Sequence, residues 1–193
     1  MNMHELILKN RSYRWFDPST PVTRELALKW IDNARLTMSS INIQPIKYYI
    51  SCDAETNAKI RPHTRWAGLL PEFDGPEGEN NPSCYIVVCV DNAIKNASLE
   101  RFAKDVGIVS QTIMLSAVED GFGGCMIGNC DREDLQKLLS LPESCKISLV
   151  LAMGKPGEEI ILEEIENGQD SAYYRDENFV HHVPKRKLED VIL

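Results

Sequence analysis

The longest helical pattern of the chain covers residues 98–120, and it is apolar on more than one side. Its apolar positions follow helical spacing without forming a single stripe: Phe102, Val106, Ile108, Val109, Ile113, Met114, Leu115, Ala117 and Val118. A helix that is apolar on two sides must be buried on two sides. One side can pack on a sheet, and the other could meet a second subunit. The pattern therefore predicts a central helix, ended by Gly121.

Short apolar runs around this helix predict the strands of a sheet. Residues 84–90 form an uninterrupted apolar run between Pro82 and Asp91, which is typical of a strand buried on both faces. Residues 46–51 and 146–154 predict two further strands. Other helices are expected at residues 3–10, at residues 24–37 after the N-cap Thr23, and from Asp131 to Leu139.

Length and charge restrict the class of protein. A chain of 193 residues fits one domain of ordinary size, and its net charge of -8 argues against nucleic acid or an anionic membrane as a partner. We expect no transmembrane helix, because no stretch has eighteen uninterrupted apolar residues. The first ten residues hold no apolar run of signal-peptide length, so a cytoplasmic location is expected.

The six cysteines are expected to be reduced thiols, because no export signal accompanies them. Cys84 and Cys89 are five residues apart, as are Cys125 and Cys130, whereas zinc knuckles usually have two to four residues between ligands. Both pairs also lie in apolar, strand-like runs. They are therefore interpreted as core thiols, and no metal site is expected.

A cluster of donors near the N-terminus stands out in this acidic chain. Arg11, Ser12 and Arg14 place two guanidinium groups and a hydroxyl within four residues, and guanidinium matches phosphate in geometry and charge. On a helical turn Arg11 and Arg14 would share a face, whereas in an extended segment Ser12 and Arg14 would do so. The functional hypothesis is a phosphate grip, and the alternative is a solvated turn before a helix.

A second polar stretch, residues 39–45, follows the helix at 24–37. If it is extended, Ser40, Asn42 and Gln44 point the same way, and their donors and acceptors suit the edge of a planar heterocycle. The alternative is an ordinary polar loop that ends at Pro45.

Together, R-S-x-R at residues 11–14 and S-S-x-N-x-Q-P at residues 39–45 resemble the nitroreductase family of FMN-dependent oxidoreductases. Residues 122–129 are similar to its G-x-G-x-x-W-I-G segment, with Met126 in place of the usual bulky aromatic. The resemblance implies an α+β fold, a mainly antiparallel sheet flanked by helices. It also implies a single FMN-binding domain over residues 1–193, with a variable lid at 55–80 and a C-terminal arm at 158–193.

The resemblance further implies an enzyme that takes a hydride from NADH or NADPH and reduces nitroaromatics, quinones or similar small acceptors. Members of the family are homodimers with flavin sites at the interface, so the resemblance implies a homodimer. The implied phosphate ligands are Arg11, Ser12, Arg14, Lys185 and Lys187. The residues implied to contact the ribityl chain and ring are Ser39, Ser40, Asn42 and Gln44. Those implied to lie against the ring are Met126, Ile127 and Gly128, with the backbone of the last two near N5. Arg186 stays open as an alternative to the two lysines.

No side chain is expected to act as a catalytic nucleophile or base. The chain has no G-x-S-x-G, no H-E-x-x-H and no paired carboxylate signature, which suits an enzyme whose cofactor performs the redox step. Arg61 and Arg65 are candidates for a positive charge near flavin N1–O2. Two alternatives remain open: a flavin carrier or sensor with little turnover, and a flavin-free acidic interaction module.

Two regions give weaker patterns. A helix is suggested from Asn57 to Trp66, after which aromatic and apolar side chains such as Phe73 either cover a flat ligand or pack on the domain. Residues 158–178 are strongly acidic, and we interpret them as a solvated arm.

Overall fold

Five α-helices and eight strands form the part of the chain that the computed structural model describes, residues 1–70 and 72–193. The helices are α1 (Met3–Lys9), α2 (Arg24–Arg35), α3 (Ala54–Ile60), α4 (Ala103–Glu119) and α5 (Arg132–Leu138). The strands are β1 (Phe16–Asp17), β2 (Ile46–Ser51), β3 (Cys84–Asp91), β4 (Gly123–Ile127), β5 (Cys145–Pro156), β6 (Ile160–Ile165), β7 (Tyr174–Arg175) and β8 (His181–Arg186). In these residues no helix has the length and hydropathy to cross a membrane.

The main sheet has the order β1-β5-β3-β2, with β4 also paired to β5, and every pairing is antiparallel. Residues 84–90 of β3 are all buried because the sheet is covered on both faces. Ile86 and Val88 face one core with the helices α2 and α4, while Tyr85 and Val87 face a second core that includes Ile60 of α3. The expected buried strand and the α+β fold with a mainly antiparallel sheet are confirmed.

The central helix is confirmed as α4, although residues 99–102 form turns before it. Val106, Val109, Ile113 and Met114 are buried within the single chain, because α2 and the sheet pack on different sides of α4. Of the nine apolar residues that predicted this helix, Ile108 is the most exposed, at 36%. The apolar residues on two sides of α4 are therefore buried mostly by other parts of the same chain.

Exposed apolar side chains are concentrated elsewhere. Every residue of α1 is at least partly exposed. Large apolar side chains open to solvent include Met3, Ile7, Leu8, Leu36, Met38, Ile41, Leu188, Val191 and Ile192. We call these nine residues the open apolar set. They belong to α1, to the turn after α2 and to the C-terminal end.

The described residues of the middle segment, residues 55–80, pack on the domain. The expected helix to Trp66 stops at Ile60, and Arg61–His63 form a 3₁₀ turn, because Pro62 has no N–H to continue the helical hydrogen bonds. Trp66 is 7% exposed and lies in the core. Arg61 holds the loop by donating to the carbonyl oxygens of Asp74 and Pro76, at 3.0 and 3.2 Å. Pro71, inside the proposed lid, lies outside the described residues.

The C-terminal arm forms a second sheet of order β6-β8-β7, in which β6 and β8 are parallel. Residues 158–178, expected to be a solvated arm, are therefore partly folded into strands, although none of these residues is buried. Its acidic side chains pair with cations of the same arm: Glu158 with Arg175, Glu163 with His182, and Glu166 with Lys187. These pairings reduce the repulsion between the acidic side chains of the arm.

Candidate functional site

A cavity of about 330 Å³ gathers most of the predicted phosphate ligands. We call it the cation cavity. It is lined by Asn10, Arg11, Ser12, Arg14, Gln111, Met114, Met126, Tyr173, His181, Val183 and Lys185. The N-terminal segment, the edge strand β4, the helix α4 and the strand β8 all contribute to it.

Glycines in β4 position the N-terminal segment. Ser12 forms a parallel bridge with Gly124, and the Tyr13 N–H donates to the Gly124 carbonyl oxygen at 3.0 Å. The segment is therefore extended here, as in the second of the two alternatives. A Cβ on Gly123 would lie 2.6 Å from the Tyr13 ring, and one on Gly124 would lie 2.6 Å from Met153 Sδ. A side chain at Gly123 would push Tyr13 of the donor segment away, whereas one at Gly124 would clash with β5, the strand that pairs with β4.

Arg14 is a buried cation supported by a neutral histidine. Its side chain is close to the Tyr173 ring, 4.7 Å from the centroid, and its Nη1 lies 3.1 Å from His181 Nε2. Burial lowers the pKa of His181 to about 4, helped by the charges of Arg14 and Arg175. Because guanidinium can only donate, His181 accepts at Nε2 and carries its proton on Nδ1. His181 therefore holds Arg14 without cancelling its charge.

The cations of the cation cavity have no ion-pair partner in the part of the chain that the structure describes. In residues 1–70 and 72–193, no carboxylate oxygen lies within 4.0 Å of a side-chain nitrogen of Arg11, Arg14 or Lys185. Arg11 Nη2 donates instead to the Ile7 carbonyl oxygen at 2.7 Å, and burial lowers the Arg11 pKa. Three uncompensated cations and a hydroxyl around one cavity can bind a multivalent anion.

The other basic residues of the C-terminus lie apart from the cation cavity. Lys187 Nζ pairs with Glu166 Oε1 at 2.5 Å and does not line the cavity, although Lys185 does. Arg186 is exposed. The arrangement separates the two lysines that the resemblance implied as phosphate ligands.

The segment we call the amide loop, residues 39–44, is not extended, so the expected alternation of Ser40, Asn42 and Gln44 is wrong. Ser40–Asn42 form a 3₁₀ turn, and Ile41, Asn42 and Gln44 have φ of 45°, 55° and 54°. Left-handed backbone is unfavourable for Ile41 and Gln44, and it tends to occur at ligand-binding sites.

A buried aspartate that the sequence reasoning missed holds the amide loop. Asp105 of α4 accepts hydrogen bonds at Oδ2 from Ser39 Oγ, at 2.6 Å, and from the Ser40 N–H, at 3.0 Å. Ser39 Oγ in turn accepts from the Gln44 N–H at 3.1 Å. The available signal was an acidic residue on the buried side of an otherwise apolar helix.

The amides and the cation cavity are not brought together in one chain. Gln44 Nε2 donates to Asn42 Oδ1 at 3.0 Å, so the two amides are linked to each other. Ser39 and Gln44 line a separate cavity of about 130 Å³, together with Asp105 near the start of α4. This cavity shares no lining residue with the cation cavity. The two groups of predicted ligands therefore line different cavities of the chain.

The edge strand β4 presents one side chain to the cation cavity. Met126 is partly buried and lines it, whereas the Ile127 side chain is buried in the core on the opposite face. Ile127 can therefore contact a ligand in this cavity only through its backbone. The Gly128 carbonyl oxygen accepts from Arg132 Nη2 at 2.8 Å. Arg65, one candidate for the charge near flavin N1–O2, pairs with Asp131 at 2.9 Å.

Comparisons with known proteins agree with this architecture. The nitroreductase family model matches residues 7–155, which leaves the second sheet outside the matched region. A protein of Archaeoglobus fulgidus named as an NADH dehydrogenase/NAD(P)H nitroreductase is 26% identical over 159 residues, covering 80% of this chain and 86% of that protein.

Two solved structures extend the comparison to the fold. A nitroreductase family protein from Streptococcus pneumoniae has a TM-score of 0.70 at 17% identity and covers 100% of this chain and 99% of its own. The NADPH:FMN oxidoreductase of Vibrio harveyi, solved with NAD+, has a TM-score of 0.64 at 25% identity and covers 80% of this chain and 69% of its own. The family match spans most of the chain, and the chain belongs to the nitroreductase family of oxidoreductases.

Proposed function

We propose that the protein is an FMN-dependent oxidoreductase that uses NADH or NADPH to reduce small acceptors. The observation that carries the proposal is the uncompensated charge of the cation cavity, because FMN ends in a dianionic phosphate. When bound, FMN would supply the redox chemistry, accepting a hydride at N5 and passing electrons to a nitroaromatic, quinone or similar acceptor.

Residues of the cation cavity would bind and orient FMN. Arg11, Ser12, Arg14 and Lys185 would donate to the phosphate, and neutral His181 would keep Arg14 in place without competing for the anion. Lys187 would reach the phosphate only after releasing Glu166.

Near the ring, Met126 would provide an apolar contact in the cation cavity. The backbones of Ile127 and Gly128 would approach N5, which is compatible with the inward position of the Ile127 side chain.

We further propose that the protein is a homodimer in which the amide loop of one copy completes the cavity of the other. Two observations support this: the separation of the two groups of predicted ligands within one chain, and the open apolar set. Large apolar side chains left open to solvent can be covered in this way by a second copy of the chain. In this arrangement Ser40, Asn42 and Gln44 would face the ligand, and Ser39 would hold the loop.

The whole chain would act as one flavin-binding domain, and residues 55–80 would shape the entry of the acceptor. This segment is anchored by Arg61 at one side and by buried Trp66, while Leu69 remains exposed. The arm at 158–193 would close the cavity through Lys185.

Titration with FMN tests the proposal directly. Charge-assisted hydrogen bonds contribute about 1.5–3 kcal/mol each, so Arg11→Ala should weaken FMN binding about tenfold or more. Arg101→Ala is a matched control, because Arg101 is exposed and also donates to one backbone carbonyl, that of Asn96. Its FMN affinity should equal that of the wild type.

Three results would contradict the proposal or narrow it. Equal FMN affinity in Arg11→Ala would remove the phosphate assignment. A colourless protein that ignores added FMN would favour a flavin-free interaction module. Bound FMN without steady NADH or NADPH oxidation in the presence of a quinone would indicate a flavin carrier or sensor.

A further inference from the structure

Two cysteines are directly opposite each other where the strands β2 and β3 meet the middle segment. The pairing of these strands runs without a shift from Ile46 opposite Val90 to Ser51 opposite Tyr85. One more step in the same register places Cys52 opposite Cys84. Both side chains belong to the same hydrophobic core, as expected for a cross-strand pair.

The register also gives the type of pair. The Asp91 N–H donates to the Pro45 carbonyl oxygen at 2.9 Å, so this pair at the other end of the ladder is hydrogen-bonded. Hydrogen-bonded and non-hydrogen-bonded pairs alternate along antiparallel strands, which makes Cys52 and Cys84 a non-hydrogen-bonded pair. Such pairs have Cα atoms about 4.5 Å apart, within the range of about 4.4–6.8 Å that a disulfide spans.

The two thiols differ in access. Cys84 is completely buried, whereas Cys52 is partly exposed and lines a cavity of about 590 Å³ beside α3. A hydrogen bond from Cys84, aided by the charge of Arg24, lowers the pKa of Cys52, and the same hydrogen bond and burial raise the pKa of Cys84. The pair thus has an accessible sulfur that ionises more easily and a protected partner beside it.

We propose that Cys52 and Cys84 form a redox-active dithiol that a peroxide converts to an intrachain disulfide. In the first step the Cys52 thiolate attacks a peroxide oxygen, the O–O bond breaks, and Cys52 becomes a sulfenic acid while hydroxide or alkoxide leaves. In the second step the Cys84 sulfur attacks Cys52 Sγ, the S–S bond forms, and the S–O bond breaks. The released hydroxide takes the Cys84 proton and leaves as water.

The position of the pair gives the disulfide a structural consequence. Cys52 and Cys84 bracket residues 53–83, which include α3 and the whole of segment 55–80. A bridge would tie both ends of this segment to each other at the edge of the sheet. The dithiol chemistry depends on strand register and burial, and it does not depend on flavin binding.

Peptide mapping after treatment with hydrogen peroxide tests the proposal. Without reduction, a tryptic digest of the oxidised protein should contain residues 48–59 linked to residues 66–95, and dithiothreitol should separate them. The second peptide also contains Cys89, so fragment ions must place the bond at Cys84. A link at Cys89 instead, or no linked peptide while Cys52 stays reduced, would overturn the proposal.

Variants give a second readout. Cys145→Ser is the matched control, because Cys145 is the other partly exposed thiol, and it should form the bridge like the wild type. Cys84→Ser should accumulate a sulfenic acid at Cys52 that dimedone traps. Non-reducing electrophoresis should show no covalent dimer, since a link between two chains would contradict an intrachain pair. If Cys84→Ser does not fold, the wild-type map alone decides.

Discussion

Replacing Asp105 with asparagine tests how the amide loop is held. The change keeps the size of the side chain and removes its charge. Asp105 Oδ2 accepts from both Ser39 Oγ and the Ser40 N–H, whereas an asparagine offers one neutral oxygen and a donor group that faces other donors. The left-handed residues of the loop then lose the contact that offsets their backbone strain.

The expected size of the effect follows from these two hydrogen bonds. Hydrogen bonds to charged groups contribute about 1.5–3 kcal/mol each, and the asparagine oxygen retains part of one, so we expect a loss of about 2 kcal/mol. For a chain of this length that corresponds to a fall in Tm of about 4–8 °C. A loss of about 2 kcal/mol would raise the equilibrium constant for release of the amide loop about 30-fold. If FMN binds only when the loop is held, the FMN Kd should rise by about 30-fold at most.

Calorimetry and FMN titration measure the two consequences. Asp32→Asn is the control, because Asp32 is an exposed carboxylate whose pair with Arg35 should contribute about 0.5 kcal/mol or less. Ser39→Ala should lower the free energy of unfolding less in the Asp105→Asn variant than in the wild type, because both changes remove the same Ser39–Asp105 hydrogen bond. Wild-type Tm and FMN affinity in Asp105→Asn would refute the reasoning.

Three further predictions concern kinetics, pH and assembly. One flavin face cannot host donor and acceptor together, so double-reciprocal plots with varied NADH and quinone should be parallel, and converging lines would indicate a separate acceptor site. The stability of the wild type should fall as the pH drops from 6.5 towards 4, because His181 binds a proton in the unfolded state that the folded state excludes. The urea midpoint of His181→Gln should fall less over this range. Equal slopes of urea midpoint against pH in the two proteins would contradict this prediction. Exchanging subunits between Arg11→Ala and Asn42→Asp should partly restore activity, whereas an FMN-bound monomer of 21.8 kDa in sedimentation would exclude the homodimer.

The elements that the sequence predicts well are those decided by local pattern. The strand at residues 84–90 differs from β3 by one residue, and that at 46–51 coincides with β2, because unbroken apolar runs and flanking turns specify them. The limits of α3 were predicted less well: the sequence pattern suggests a helix from Asn57 to Trp66, whereas α3 covers Ala54–Ile60.

Features that depend on distant contacts could not be predicted in this way. The amide loop takes its shape from Asp105, which is 66 positions from Ser39, so no local pattern distinguishes it from an extended segment. The apolar sides of α4 showed that burial was needed but not that α2 would supply it. The strands of the acidic arm could not be predicted because its ion pairs, such as Glu158 with Arg175, join residues that are not neighbours in the sequence.

The contact between Arg14 and His181 joins positions 167 residues apart, and it has a consequence for how the molecule is made. At about 5–20 residues per second, the N-terminal cations leave the ribosome about 10–30 s before the strand that closes their cavity. The main sheet can pair during this interval, because its strands end at Pro156. Closure of the cation cavity therefore depends on a long-range contact, and a chain stopped before β8 would have the strands of the main sheet without a closed cavity.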